Sequence, residues 1–348
     1  MKTLPRGKGQ AYLISDRLTR FYISGTDIAE GYILYTKKPS YFTDARYFHA
    51  AKDKIAAAGL TPVLLHGISD ISSAIKEEGV TELLVDYSRV TVKEFFEYKT
   101  FANTISDCSE ILESAREVKT EEELSEIKKA CEVAQNALTF ALDNVKAGMT
   151  EKELCKILED KMKELGAEGP SFETIVAFGE NAAVPHHVTG DTELKENTAI
   201  LIDTGAKVGF YLSDVTRMAF FGKPDDKFLN AYSAVLAANE KAEEEIVAGT
   251  DTVSADKIAR DVLKERGLAE YFTHSLGHGV GMEIHETPYL APKKAPRELK
   301  ENVVFTVEPG VYLNGEFGIR IEDTCVIKGG KTQRLFTDSK ELKIIPIK

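Results

Sequence analysis

Two stretches, VKAGMTEKELCKILEDKMKELG at 145–166 and IVAGTDTVSADKIARDVLKERG at 246–267, resemble each other at an offset of 101 residues. Each reads as the end of one helix, an Ala-Gly turn, a cap rich in threonine or serine, and an amphipathic helix closed by glycine. The segments that follow also correspond. TAILIDTGA (198–206) is answered by NVVFTVEPGV (302–311), and each runs through a glycine-containing turn into a second strand, LSDVTRMAFF (212–221) and GIRIEDTCVI (318–327). A duplicated helix-plus-hairpin unit of this kind packs two half-sheets about a pseudo-twofold axis. Equivalent strands then meet at the centre, and a site built of matched residues is expected there.

Four carboxylates occupy matched places in that frame. Asp203 ends the apolar strand AILID, and Asp214 follows 11 residues later on the return strand. Glu308 ends VVFTVE, and Glu322 follows 14 residues later on its own return strand. A carboxylate after a run of Val, Ile, Leu and Phe cannot be left buried and bare, because its desolvation costs many kcal/mol. Four acids converging on one sheet centre also repel one another and raise each other's pKa values. Divalent cations offset that repulsion, and two of them neutralise four negative charges. The segment HSLGHGVGMEIHE (274–286) adds imidazoles, and its glycines at 277, 279 and 281 permit close backbone approach. Imidazole beside hard carboxylates suits manganese, iron, cobalt or zinc better than calcium or magnesium. The zinc-protease pattern H-E-x-x-H is absent, since His285-Glu286 is followed by Thr287-Pro288.

Residues 1–117 read differently. AYLISD, FYISG, EGYILYT, SYFTD, TPVLLH and TELLVDY look like strands, and stretches near 45–58 and 69–78 look helical. The pattern predicts a small α/β domain without a phosphate-cradling glycine motif. At Thr120, with Glu123 three residues on, a capping box opens a helix of about 26 residues whose apolar face repeats at Leu124, Ile127, Cys131, Ala134, Leu138, Ala141 and Val145. The domain boundary is therefore placed near residue 117. The whole is an α/β (α+β) chain of two domains, 1–117 and 118–348.

Composition narrows the classes. The 348 residues carry 44 Lys+Arg against 56 Asp+Glu, a net charge of −12. That excess is the wrong sign for a phosphate-binding surface, so no nucleic-acid partner is expected. Hydrophobic residues make up 43% and charged ones 29%, with a mean hydropathy of −0.21, as in ordinary folded proteins. No apolar run approaches the ~20 residues that span a bilayer, so no membrane partner is expected. The opening MKTLPRGKGQAYLISD lacks a signal-peptide core, which makes cytoplasm the expected compartment. Cys108, Cys131, Cys155 and Cys325 form no C-x-x-C pair, and Cys131 and Cys155 are expected as buried small hydrophobes.

The ordered set LIDTGA, SDVTR, HSLGHGVGMEIHE, FTVEPGVY and GIRIEDT resembles the pita-bread metallopeptidases, the family of methionine aminopeptidase, aminopeptidase P, prolidase and creatinase. The resemblance covers about 118–348. Residues 1–117, with SYFTDARYFHAA, resemble the creatinase-like N-terminal domain of prolidases and aminopeptidases P, which methionine aminopeptidases generally lack. The resemblance implies two divalent metal ions held by Asp203, Asp214, His278, Glu308 and Glu322, with manganese expected and cobalt or zinc as alternatives. Asp214 and Glu322 would bridge, Asp203 would bind one ion, and His278 and Glu308 the other.

It also implies catalytic roles for His186, His285 and Glu308. His186 and His285 would contact substrate or the tetrahedral intermediate, His285 would shuttle protons, and Glu308 would accept a proton from the attacking water. His274 is expected to bind substrate. Arg320, two residues before Glu322 on the same strand face, is expected either to orient Glu322 or to bind substrate through the substrate's carboxylate, the first being favoured. His187 is expected to face solvent. The implied reaction is hydrolysis of an N-terminal Xaa-Pro bond in a proline-containing peptide, as an Xaa-Pro dipeptidase or, on longer peptides, an Xaa-Pro aminopeptidase. A catalytically inactive binding relative would lack a ligand, and the set here is complete. The N-terminal domain would serve a homodimer and limit substrate length.

Overall fold

The computed structural model describes residues 2–347. The chain divides into two compact units, Met1–Arg116 and Glu117–Lys348. In the first, a six-stranded sheet has the order Thr61–Leu64, Ser40–Thr43, Tyr32–Tyr35, Gln10–Ile14, Glu82–Val85, Thr104–Asp107. Its middle strands run antiparallel as a meander and its flanks are parallel. Each parallel flank requires a crossover, which the helices Ala45–Ala57 and Val92–Tyr98 supply. Alternating Ala11, Leu13, Leu83 and Val85 meet Ile71, Ile75 and Tyr98 in one buried cluster.

One expected strand here is a helix. FYISG forms the end of the helix Arg17–Ser24. The Asp16 carboxylate accepts from the Thr19 N–H at its start, and Gly25 at φ 63° ends it in the left-handed conformation. With both ends framed, Thr19, Tyr22 and Ile23 bury a helical stripe that as a strand they would split between two faces.

In the second unit the long helix spans Glu121–Asp143, with Thr120 and Glu123 making the capping box and Ile127, Cys131, Ala134, Leu138 and Ala141 buried. The two repeated stretches form matching helices. Glu151–Glu164 is capped by Thr150 and Thr252–Glu265 by Asp251. Gly166 (φ 97°) and Gly267 (φ 71°) follow their ends at angles that side chains rarely adopt.

Among the described residues these helices flank a nine-stranded sheet. At its centre Val215–Phe221 pairs with Glu322–Lys328, flanked by Thr198–Thr204 on one side and Val304–Val307 on the other. The two hairpins of the repeat therefore meet edge to edge. The helices Glu121–Asp143 and Glu151–Glu164 share a core with Ile200, Ile202 and Val304. Thr252–Glu265 and the helix Asp226–Glu245 share another with Leu201, Met218 and Phe305. Cys131 is buried, but Cys155 is only half-buried, because it lies on the helix face turned to the cavity described next. Among the described residues no helix is long and apolar enough to cross a membrane.

Candidate metal centre and active site

A cavity of about 880 Å³ opens in the second unit. His186, His187, Asp203, Asp214, His274, His278, His285, Glu308, Arg320 and Glu322 all line it. The sheet register explains the gathering. Thr216 pairs with Asp203 on one neighbour and with Glu322 on the other. Period-two alternation puts Asp214 and Thr216 on one face, and their partners Asp203 and Glu322 beside them.

Asp214 and Glu322 are 4% and 2% exposed. Burial, then the neighbouring carboxylates, pushes both far above the usual carboxylate range. Asp214, His278 and Glu322 bring one ligand atom each within 4.8 Å of one another. His278 Nε2 lies 3.6 Å from Asp214 Oδ2 and 3.3 Å from Glu308 Oε1. Its Nδ1 donates to the Gly279 carbonyl at 3.1 Å, which turns Nε2 toward the acids, where it could serve as a metal ligand. Burial pushes the Glu308 carboxyl up, but the hydrogen bond and charge of His278 outweigh it and hold the group down at about 2.

Asp203 Oδ2 accepts from Arg320 Nη2 at 2.5 Å, while Asp203 Oδ1 is buried with no protein partner. An orphaned carboxylate oxygen in a cluster with the buried Asp214 and Glu322 is what a cation would satisfy. The donor set, one imidazole and four carboxylates, fits a divalent transition metal.

His278 reaches the acids because the strand Gly277–Gly279 presses against its neighbours. A Cβ on Gly277 would lie 2.0 Å from the Thr306 carbonyl oxygen, and one on Gly279 would lie 2.3 Å from that of Thr287. The other imidazoles surround the acids. The His285 ring stands edge-on to His278 at 4.3 Å between centroids, and burial followed by the His278 charge pushes its pKa down. His274 Nδ1 donates to the Ser275 carbonyl at 2.8 Å, so Nε2 accepts from the Tyr312 hydroxyl at 2.8 Å. Tyr312 in turn accepts from Arg320 Nη1 at 2.7 Å. His186 is exposed on the cavity rim.

Arg320 is 3% exposed and touches Asp203, Tyr312, the Pro185 carbonyl (3.4 Å) and the Thr216 hydroxyl (Nε, 3.0 Å). Thr216 Oγ1 then donates to Glu322 Oε2 at 2.7 Å. Four interactions hold the guanidinium against the carboxylates.

His187 departs from expectation. It is half-buried and its Nε2 lies 2.9 Å from Glu151 Oε2. Glu151 is fully buried and needs cationic or N–H partners, one of which His187 provides from a loop 36 positions downstream. Sequence reasoning also passes over Thr216, Tyr312, Glu151 and the buried pair Lys119–Glu286 (2.8 Å). Thr216 had a signal: it lies two residues past Asp214, on the same strand face.

Comparison with known proteins agrees with the geometry. Residues 125–329 match the model of metallopeptidase family M24, and residues 3–118 match that of the creatinase/prolidase N-terminal domain. A relative from Pyrococcus furiosus named Xaa-Pro dipeptidase is 35% identical over 329 residues, covering 92% of each chain. The solved structure of an Xaa-Pro dipeptidase from Bacillus anthracis superposes with a TM-score of 0.93 at 32% identity, covering 96% of this chain and 95% of that one. The solved X-Pro aminopeptidase from Thermotoga maritima does so with a TM-score of 0.90 at 34% identity, covering 97% of both. A creatinase/prolidase-type N-terminal domain thus precedes a duplicated catalytic domain whose sheet centre gathers a buried acid–histidine cluster, and the chain belongs to metallopeptidase family M24.

Proposed function

We propose that the protein is an Xaa-Pro dipeptidase, a prolidase-like exopeptidase that hydrolyses the bond preceding proline at a peptide N-terminus. The observation that carries the reading is the convergence of the five expected ligands, Asp203, Asp214, His278, Glu308 and Glu322, on one cavity with His186, His274, His285 and Arg320 around them. The names of the relatives above support the same substrate class. Residues 1–117 act as the creatinase-like N-terminal domain and 118–348 as the catalytic domain. The chain works in the cytoplasm as a homodimer, for which light scattering on the full chain is the test.

Two divalent ions held by the five ligands, manganese by preference, would supply Lewis acidity to the scissile carbonyl and to the attacking water. The remaining work belongs to side chains. Glu308 takes the proton of the attacking water. His186 and His285 donate hydrogen bonds to the carbonyl oxygen as it gains charge. Glu308 or His285 hands the proton to the departing proline nitrogen. His274, its tautomer fixed between Ser275 and Tyr312, offers an oriented ring to the substrate. Arg320 holds Asp203 and, through Thr216, Glu322.

A second reading, an aminopeptidase acting on longer Xaa-Pro peptides, draws support from the size of the cavity. At about 880 Å³ it is in the upper part of the range that takes drug-sized ligands and exceeds the needs of a dipeptide. Cleavage of Ala-Pro, Ala-Pro-Ala and Ala-Ala by the metal-loaded protein decides between them. The dipeptidase reading expects turnover of Ala-Pro above all, the second expects Ala-Pro-Ala, and efficient cleavage of Ala-Ala alone would refute both.

A further inference from the structure

The helix Glu151–Glu164 opens with a side chain that its own cap does not use. Thr150 and Glu153 complete the capping box, and Glu151, fully buried, turns to the segment that carries His186. Its Oε1 accepts from the Phe178 N–H at 2.9 Å and from Asn181 Nδ2 at 2.8 Å. Its Oε2 accepts from the Gly190 N–H at 2.9 Å and from His187 Nε2 at 2.9 Å. The donors come from both ends of residues 178–190, so one carboxylate closes the segment on itself. Each oxygen faces a backbone N–H that can only donate, so an amide in place of the acid would leave one of them unmet. Because the carboxylate can only accept, His187 carries its proton on Nε2.

The other side of the segment is also fixed. Pro185 O accepts from Arg320 Nη1 at 3.4 Å. The backbone at Gly318 is so close that a Cβ there would lie 1.8 Å from the Ala182 carbonyl oxygen. His186 projects from this braced segment onto the cavity rim.

We propose that Glu151 and His187 are positioning residues for His186: the buried carboxylate, completed by the His187 N–H, fixes the segment so that His186 meets the substrate. His187 then acts through its neighbour and not on the reacting atoms. The proposal rests on the reading of His186 as a substrate-contacting group, and the test separates the two.

Full-length, metal-loaded wild type, His186→Ala, His187→Ala and the double variant are compared for kcat, KM and bound metal, with Ala-Pro or Ala-Pro-Ala, whichever the wild type cleaves faster. His186→Ala is expected to lower kcat by about 10²-fold, as loss of a hydrogen-bond donor to the developing oxyanion does. His187→Ala is expected to lower it about tenfold, within the cost of a sub-ångström misplacement. The double variant should match His186→Ala within about twofold, since one histidine acts through the other. Metal content should stay at the wild-type level, and His187→Gln, which keeps an N–H for Glu151, should recover most of the rate. Multiplicative losses in the double variant, metal loss paralleling the rate loss, or a His187→Ala enzyme at the wild-type rate would each overturn the proposal. A His186→Ala enzyme at the wild-type rate would instead refute the reading of His186, and the proposal with it.

Discussion

Thr216 faces Glu322 across the central strand pair, and its hydroxyl donates to Glu322 Oε2 at 2.7 Å. Thr216 Oγ1 itself accepts from Arg320 Nε at 3.0 Å, and Arg320 holds Asp203. The pseudo-twofold repeats the motif with variation: Thr324, two residues past Glu322, accepts from the Asp214 N–H at 3.2 Å and donates to the Asp214 carbonyl at 2.7 Å. Each half of the duplication thus steadies the acid of the other half. Valine at 216 keeps the shape and removes the hydroxyl. Thr216→Val should weaken metal binding by about 10–100-fold, the usual cost of losing a group behind a ligand, while Thr216→Ser should retain it. Metal titration of the two variants checks this, and equal affinities would contradict it.

Raised pKa values at Asp214 and Glu322 fix the sign of a pH effect. In the metal-free protein, burial and the neighbouring acids keep these carboxyls protonated where ordinary carboxylates are ionised. An incoming cation must displace those protons, so affinity should rise with pH until both are ionised without help. Calorimetry in buffers of different ionisation enthalpy should report proton release, which should shrink as pH rises. Metal uptake without proton release at acid pH would count against the buried-acid account.

Lys119 and Glu286 form a buried pair at 2.8 Å with side-chain exposures of 2% and 4%. Lys119→Met leaves the Glu286 charge alone in the interior. Such a loss costs about 3–5 kcal/mol, read as a lower denaturant midpoint. Adding Glu286→Gln removes the stranded charge and should restore part of the loss. A single variant as stable as wild type would show that the pair is not needed.

Glu308→Gln preserves shape and removes a charge and the assigned proton acceptor. Turnover should fall by at least ~10²-fold, typical of general-base removal. Steady-state kinetics with metal content measured alongside checks it, and near-normal turnover would mean another group takes the proton.

Much of this arrangement is legible in the sequence. The 101-residue repeat and its matched acids foretell two hairpins meeting at a sheet centre, because strand ends after apolar runs have few places to go. The glycines of 277–281 foretell close approach. What escaped depends on distant partners. FYISG has strand-like residues, and only its framing by Asp16 and Gly25 makes it helical. His187 reads as a surface residue until the start of a helix 36 positions upstream delivers a buried carboxylate to it. Thr216, Thr324 and Tyr312 acquire meaning only through register and packing, which put each within hydrogen-bond reach of the acids or their partners.

The most direct test is turnover of an Xaa-Pro peptide before and after exhaustive chelation, with residual metal quantified. The account predicts that activity vanishes while most of the fold persists, because the apolar cores do not depend on the cluster, and that manganese, cobalt or zinc restores it to differing degrees. Full turnover with no metal bound would contradict it.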